Sequence, residues 1–484
     1  MTTTTTTSST GRNDSLSLTT VNPATGEALQ TYPTHSSADV EDVLAAVHAT
    51  QPAWAARPLA ERAEVLARAA VLLREQRQPL AELMVAEMGK PVGEALAEVD
   101  KCAWVCEYYA ETGPEVLADQ EVSTGARRSW VSYEPLGVVL AVMPWNFPYW
   151  QVFRFAAPTL LAGNTALLKH SPNVTGCALA VERLLREAGA PEQAFRTLVI
   201  AEPEVPAATE ALLADDRVAA VSLTGSERAG AAVAAAAGRS IKKSLLELGG
   251  SDPFVVRADA DLDVVVASAV KARFINSGQS CLAAKRFIVH RDVAEDFIER
   301  FTAAVADLTV GDPSDPATAV GPMARADLLD ALDRQVAESV AKGAEVRTGG
   351  HRLDRPGSFY APTVVVGVSP DVPVMAEETF GPVAAVAVVE DDDEAVAVAQ
   401  ATRYGLAASV WSRDEQAALA VGKRITSGAL FVNAVVASDP RLPFGGTKRS
   451  GYGRELGSAG AVEFTNARTY YVGAGAAPTG PATE

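Results

Sequence analysis

The sequence predicts an α/β protein made of two parallel-sheet units, and three observations carry that prediction. Short apolar strands alternate with helical stretches from about residue 137 onward, the pattern of a parallel sheet covered on both faces. The alternation begins afresh after Gly250. With 484 residues, 48% of them hydrophobic and 21% charged, the chain can bury substantial cores and is neither fibrous nor disordered in composition.

The elements follow in order. Residues 37 to about 111 read as helices, because segments such as 61–74 place apolar residues three and four apart, with breaks expected at Pro52, Pro58, Pro79 and Pro91. Residues 130–142 read as a strand, a turn and a second apolar strand. Strands are expected at 166–169, 196–200 and 218–223, with helices at 178–187, 206–214 and 228–237 between and after them. The second unit begins with a strand at 252–256, a helix at 262–274, a strand at 287–290 and a helix at 294–308. The boundary falls near Leu248, where a strand ends in Gly249 and Gly250.

Composition excludes several classes of function. A formal net charge of -18 disfavours nucleic acid and anionic membranes, which require an excess of Lys and Arg. Four cysteines are too few for a disulfide framework at this length. Cys102 and Cys106 lie four apart on a helix without further ligands, so they read as core and no metal site is expected. The acidic run 391–394 reads as the start of a helix. The Thr-rich start lacks the apolar stretch of a signal peptide, and no apolar run approaches the roughly 20 residues that span a bilayer. A cytoplasmic protein with no membrane partner is expected.

Six segments suggest chemistry. In Asn276-Ser-Gly-Gln-Ser-Cys281 the thiol sits in a polar turn between a helix and a strand, where exposure and nearby cations would favour the reactive thiolate; a small buried cysteine is the competing reading. Glu247 ends an apolar strand before two glycines, so partial desolvation would lift its carboxyl toward the range of a general base; an ion-paired strand-end Glu is the alternative. Pro144-Trp145-Asn146-Phe-Pro fixes one amide between prolines, which suits a preorganised oxyanion donor or merely a packed turn. No Gly-x-Gly-x-x-Gly follows a strand, but Thr224-Gly225-Ser226 opens a helix whose N-terminal amides suit a pyrophosphate. Lys169 closes a strand before His170, Ser171 and Pro172, and Glu378-Thr-Phe380 precedes a turn; both could hold parts of a dinucleotide.

Together these segments resemble the aldehyde dehydrogenase superfamily, whose motifs recur in the same chain order over about residues 20–470. The resemblance implies that family's fold: a Rossmann-like cofactor domain, an α/β catalytic domain and a small oligomerisation hairpin. Its boundaries would be a disordered tail at 1–19, a cofactor domain at 20–128 and 143–247 with 443–464 returning to it, a catalytic domain at 248–442, and oligomerisation segments at 129–142 and 465–475. It also implies roles: Cys281 as nucleophile, Glu247 as base, Asn146 as oxyanion donor. Trp145, Asn146, Lys169, His170, Ser171, Pro172, Gly225, Ser226, Leu248, Glu378 and Phe380 would line the cofactor. A homodimer or homotetramer acting on a small aldehyde is implied. Against a coenzyme A-acylating relative stands Glu247, a hydrolytic base such an enzyme would not need; against a non-catalytic protein of the same fold stands the intact set of Cys281, Glu247 and Asn146.

Several segments are similar to the bacterial succinate-semialdehyde dehydrogenases: 150–154, 167–172, 252–254 and 438–446. A substrate with a distal carboxylate needs a cation in its tunnel, and a bidentate Arg is the natural partner. The resemblance places that Arg at Arg154, eight residues after Asn146. Some relatives carry a second Arg six residues before the nucleophile, where this chain has Ile275; Ser438 or Arg441 is the expected substitute. NAD-selective relatives often carry a Glu three residues beyond the Lys, where Pro172 stands here. Without that carboxylate NADP is admitted and is the favoured cofactor, with NAD the alternative.

Overall fold

The computed structural model describes residues 17–473. The expected tail lies outside them as far as residue 16; Ser17–Val21 is already a strand, paired antiparallel with Ala28–Pro33.

Two sheets form the frame. The first runs, in spatial order, Gly451–Tyr452, Lys243–Glu247, Val218–Thr224, Val138–Met143, Thr165–His170 and Phe195–Thr197. All but the first strand are parallel. The second runs Glu345–Thr348, Thr363–Val366, Val383–Val389, Ala284–His290, Asp252–Val256, Ala407–Trp411 and Ala429–Val432, with only the first antiparallel. Central strands such as Val138–Met143 and Asp252–Val256 are buried almost throughout, which is why they read as unbroken apolar runs. A third, antiparallel sheet joins Thr465–Val472, Arg128–Pro135 and Gln120–Glu121.

Val138–Met143 corrects an expectation. The resemblance puts 129–142 in the oligomerisation hairpin, yet only Arg128–Pro135 pairs with Thr465–Val472, while Val138–Met143 lies inside the first sheet between Thr165–His170 and Val218–Thr224. The turn near Gly137 passes the chain from one sheet to the other. The expected strand 196–200 is also shorter, Phe195–Thr197.

The helical region divides into Ser37–Ala55, Leu59–Glu75, Arg77–Met88 and Val92–Val116. Pro58 and Pro91 are N-caps, as breaks should be, but Pro52 lies inside the first helix and Pro79 in the first turn of the third. Pro79 is tolerated because first-turn amides lack an intrahelical acceptor. The Trp150–Leu161 helix is buried along its whole length, so Arg154 on it can be charged only if a partner is buried with it.

Candidate active site

Between the Leu262–Phe274 helix and Cys281 the backbone makes a left-handed turn, with φ of 55° at Asn276, 56° at Ser277 and 73° at Gly278. Such a conformation costs about 1–3 kcal/mol for each non-glycine residue and persists only where the surroundings over-determine it. Here they do. The Asn276 N–H donates to Glu94, and the Asn276 side-chain amide donates to the Asn146 and Gln279 carbonyls at 2.8 and 3.0 Å. The Gly321 N–H donates to Ser277 Oγ at 2.9 Å. The Gly278 carbonyl accepts from the Gly381 N–H and from Arg273 Nη2, each at 3.1 Å. A Cβ at position 278 would lie 2.2 Å from the Gly381 carbonyl oxygen, so only glycine fits that turn.

Cys281 emerges half-buried at the wall of a cavity of about 550 Å³. Burial pushes its thiol up to about 12, against the lowering pull of Lys285 and Arg154. The low-pKa, exposed turn cysteine suggested by the local sequence is therefore corrected: the resting thiol is protonated, and removing its proton falls to neighbouring groups. Lys285, fully buried, donates to the Ser280, Cys281 and Ala283 carbonyls at 3.0, 2.9 and 3.2 Å and lies 3.8 Å from Glu378. It locks the backbone that carries Cys281.

Glu247 ends its strand with the main chain held on both sides. Its carbonyl accepts from the Gly225 N–H at 2.9 Å, and it pairs with Gly451 on the returning strand. The carboxyl is 2% exposed, and its Oε1 has no hydrogen-bond partner among the described residues. Gly445 leaves it room, since a Cβ there would come within 2.8 Å of Oε1. Burial raises the carboxyl to about 8; Arg154 opposes that rise and Glu455 adds to it. Asn146 is buried and donates through Nδ2 to the Gln279 carbonyl at 3.1 Å, two residues before Cys281.

Arg154 lines the same cavity as Cys281. It is ion-paired with Glu455, donates to Thr224 Oγ1 at 3.3 Å and lies 4.7 Å above the Phe444 ring. Removing one member of a buried pair typically costs about 3–5 kcal/mol, so Glu455 is what keeps a charged Arg154 in a buried helix. Arg154 thus serves the protein's own anion and has only part of its guanidinium to offer a ligand. Ser438 lines the cavity and accepts from Lys101 Nζ at 2.7 Å. Arg441 does not fulfil its expectation: its side chain is exposed, bonded to Asp439 at 2.6 and 2.9 Å and stacked over Trp104, and it is absent from the cavity wall.

At the carboxyl ends of the first sheet stand the expected cofactor groups. Lys169 is the penultimate residue of the Thr165–His170 strand, half-buried, with burial lowering its ammonium to about 8. Ser226 caps the Glu227–Arg239 helix, its Oγ accepting from the Ala229 N–H. A Cβ added at Gly225 would meet only Leu223, at 3.7 Å, so the approach to this helix N-terminus is open. Leu248 is buried, its N–H bonded to the Ser450 carbonyl at 3.0 Å. Glu378 Oε1 accepts from the Gly250 N–H at 2.9 Å, and Trp145 meets Phe380 edge to face at 5.6 Å. Ser171 donates to Asn173 at 2.7 Å, and Pro172 opens a short 3₁₀ turn. His170 is corrected to a scaffold residue: one ring nitrogen bonds the Pro148 carbonyl at 2.9 Å, the other accepts from the Ser171 N–H at 2.8 Å, and burial lowers it to about 4. With both nitrogens used and the ring neutral, nothing remains for a ligand.

Three side chains escaped the sequence reading. Glu455 meets Arg154 only across a long stretch of chain, and the ammonium of Lys285 turns back onto neighbouring carbonyls that no motif announces, but Lys101 had a signal. Glu94, Ala97, Glu98 and Lys101 repeat at helical spacing, and all four line the cavity.

Residues 11–470 match the sequence profile described as the aldehyde dehydrogenase family. Among curated relatives, a probable succinate-semialdehyde dehydrogenase [NADP(+)] of Synechocystis sp. is 50% identical, the match covering 94% of this chain and 100% of the relative. Succinate-semialdehyde dehydrogenase [NADP(+)] 1 of Mycobacterium tuberculosis is 47% identical over 94% of this chain and 99% of its own. Among solved structures, succinic semialdehyde dehydrogenase from Streptococcus pyogenes in complex with NADP+ superposes with a TM-score of 0.91 at 38% identity, covering 94% of this chain and 100% of that one.

Proposed function

The chain belongs to the aldehyde dehydrogenase family, and from that premise we propose that it oxidises succinate semialdehyde to succinate with NADP+. The observation that carries the reading is the single cavity wall on which Cys281 and the cationic Arg154 and Lys101 stand together. It offers a nucleophile for an aldehyde and positive charge for a carboxylate at the far end of a short chain.

NADP+ fits the residues present. Lys169 is an ammonium with no ion pair among the described residues, Gly225 and Ser226 leave a helix N-terminus open, and no carboxylate occupies position 172 to repel a 2'-phosphate. Lys169 and Ser171 would hold the adenosine ribose and its phosphate, the Ser226 helix the pyrophosphate, and Glu378 the second ribose. When bound, NADP+ supplies the acceptor for the hydride that leaves the substrate carbon.

The chain's own groups perform the remaining work. The Cys281 sulfur, deprotonated with the help of Glu247 and the positive field of Lys285 and Arg154, attacks the aldehyde carbon. The oxyanion of the resulting thiohemiacetal takes a hydrogen bond from the second N–H of Asn146 Nδ2 and another from the Cys281 amide. After oxidation the substrate is a thioester on Cys281, and Glu247 takes the proton of the water that cleaves it. The Glu247 carboxyl, lacking a bond at Oε1, keeps an acceptor free for that proton.

Thr465–Val472 forms an exposed edge of the three-stranded sheet. An edge with unpaired backbone groups invites pairing with another strand, and this supports assembly as a homodimer or homotetramer. The substrate reading is tested by kcat/KM for succinate semialdehyde and butanal with each nicotinamide cofactor, with and without coenzyme A. It expects strong preference for the semialdehyde, for NADP+, and indifference to coenzyme A; equal use of butanal, or dependence on coenzyme A, would overturn it.

A further inference from the structure

Lys101 projects into the catalytic cavity from the Val92–Val116 helix, on the face that also presents Glu94, Ala97 and Glu98. Its Nζ donates to Ser438 Oγ at 2.7 Å and lies 4.4 Å from the centroid of Trp150. Trp150 in turn heads the helix that bears Arg154 one turn on, so the two cations converge on one end of the cavity.

Their charges are answered differently. Arg154 is neutralised by Glu455, and Lys90, just ahead of the Val92–Val116 helix, by Glu98. Lys101 forms no ion pair among the described residues, and its single hydrogen bond goes to a neutral hydroxyl. The anions near it are committed elsewhere: Glu98 to Lys90 and to the Tyr149 and Trp150 N–H groups at 2.9 Å, and Asp439 to Arg441. Glu94, the other cavity carboxyl, accepts from the Asn276 N–H and is raised by burial to about 7. A third cation on the wall, Lys271, is exposed to solvent, where a charge is worth little.

A half-buried ammonium without a counterion is costly unless a ligand supplies one. Burial and the like charge of Arg154 lower Lys101 to about 8, opposed by Cys102, Glu98 and Asp439; a bound carboxylate would favour its charged form.

Resting on the succinate-semialdehyde reading, we infer that Lys101 is the second cation of the carboxylate clamp, binding the distal carboxylate of the substrate together with Ser438 and the part of Arg154 left free by Glu455. It takes over from the Val92–Val116 helix the task that an arginine at position 275 would perform. Ile275 lines the same cavity as an apolar wall.

The test is steady-state kinetics of Lys101→Met on succinate semialdehyde, on its methyl ester and on butanal. The expected result is a rise in KM for the semialdehyde of about 10- to 100-fold, the scale of a lost charge-assisted hydrogen bond, with kcat within about threefold and both neutral aldehydes within about twofold. Lys101→Arg should recover most of the affinity. Lys101→Gln keeps a donor to Ser438, loses the charge and should reproduce the rise, which covers the case in which methionine is not tolerated. Lys271→Met is the comparison, expected to change KM less than about twofold. Equal losses on charged and neutral aldehydes, or an unchanged KM in both the Met and Gln variants, would overturn the role of Lys101 while leaving the wild-type preference for the semialdehyde intact. Wild-type enzyme without that preference would overturn the substrate reading and this inference together.

Discussion

The loop that carries Cys281 and the walls that face it are built on opposite principles. Around the loop every charge and nearly every polar group is answered from within the protein: Lys285 by three carbonyls and Glu378, and Arg273 by the carbonyls of Gly278, Thr379, Gly381 and Ala284. Across the cavity and at the carboxyl ends of the first sheet, Lys101 and Lys169 are drawn below their ordinary ammonium range by burial and have no ion pair among the described residues. Full satisfaction makes a rigid mount for a strained turn. Unmatched charge marks where a ligand's charge belongs.

The largest expected effect separates the two regions. Cys281→Ala should lower oxidation about 10^4- to 10^6-fold, the range for loss of a nucleophile, while calorimetry still finds NADP+ bound with near wild-type affinity. Lost cofactor binding would mean that the loop and the cofactor wall are not separable. A smaller effect is confined to the wall: Lys169→Ala should weaken NADP+ about tenfold and NAD+ by much less, and equal weakening of both would remove Lys169 from the phosphate. Smallest is a pH effect. Because burial holds the Glu247 carboxyl protonated until about pH 8, and a base must be deprotonated, kcat should rise several-fold as pH increases from 7 to 9. A flat profile would detach hydrolysis from this carboxyl.

The sequence made the order and kind of most elements legible because buried parallel strands write themselves as continuous apolar runs, as at Val138–Met143 and Asp252–Val256. It misled where position within an element matters. Pro52 and Pro79 look like breaks, yet both sit in helices, and only the sheet pairing shows that the chain leaves the hairpin before Val138. Local motifs single out Cys281, Glu247 and Asn146, but not their electrostatics. The thiol's raised pKa comes from burial by segments far apart in the chain, and the neutralising partner of Arg154 is Glu455, 301 residues away. Arg441 shows the limit of inference from residue type: the right charge in the right segment points to Asp439 and solvent.

The central claim, that oxidation passes through a thioester on Cys281 released by Glu247, is tested most directly in Glu247→Gln. Mixed with succinate semialdehyde and NADP+, this variant should reduce about one equivalent of cofactor per site and then slow by about 10²- to 10⁴-fold, the contribution of a lost general base. Mass spectrometry of the quenched protein should find one succinyl group on the peptide bearing Cys281. Sustained wild-type turnover with Cys281 unmodified would contradict the account.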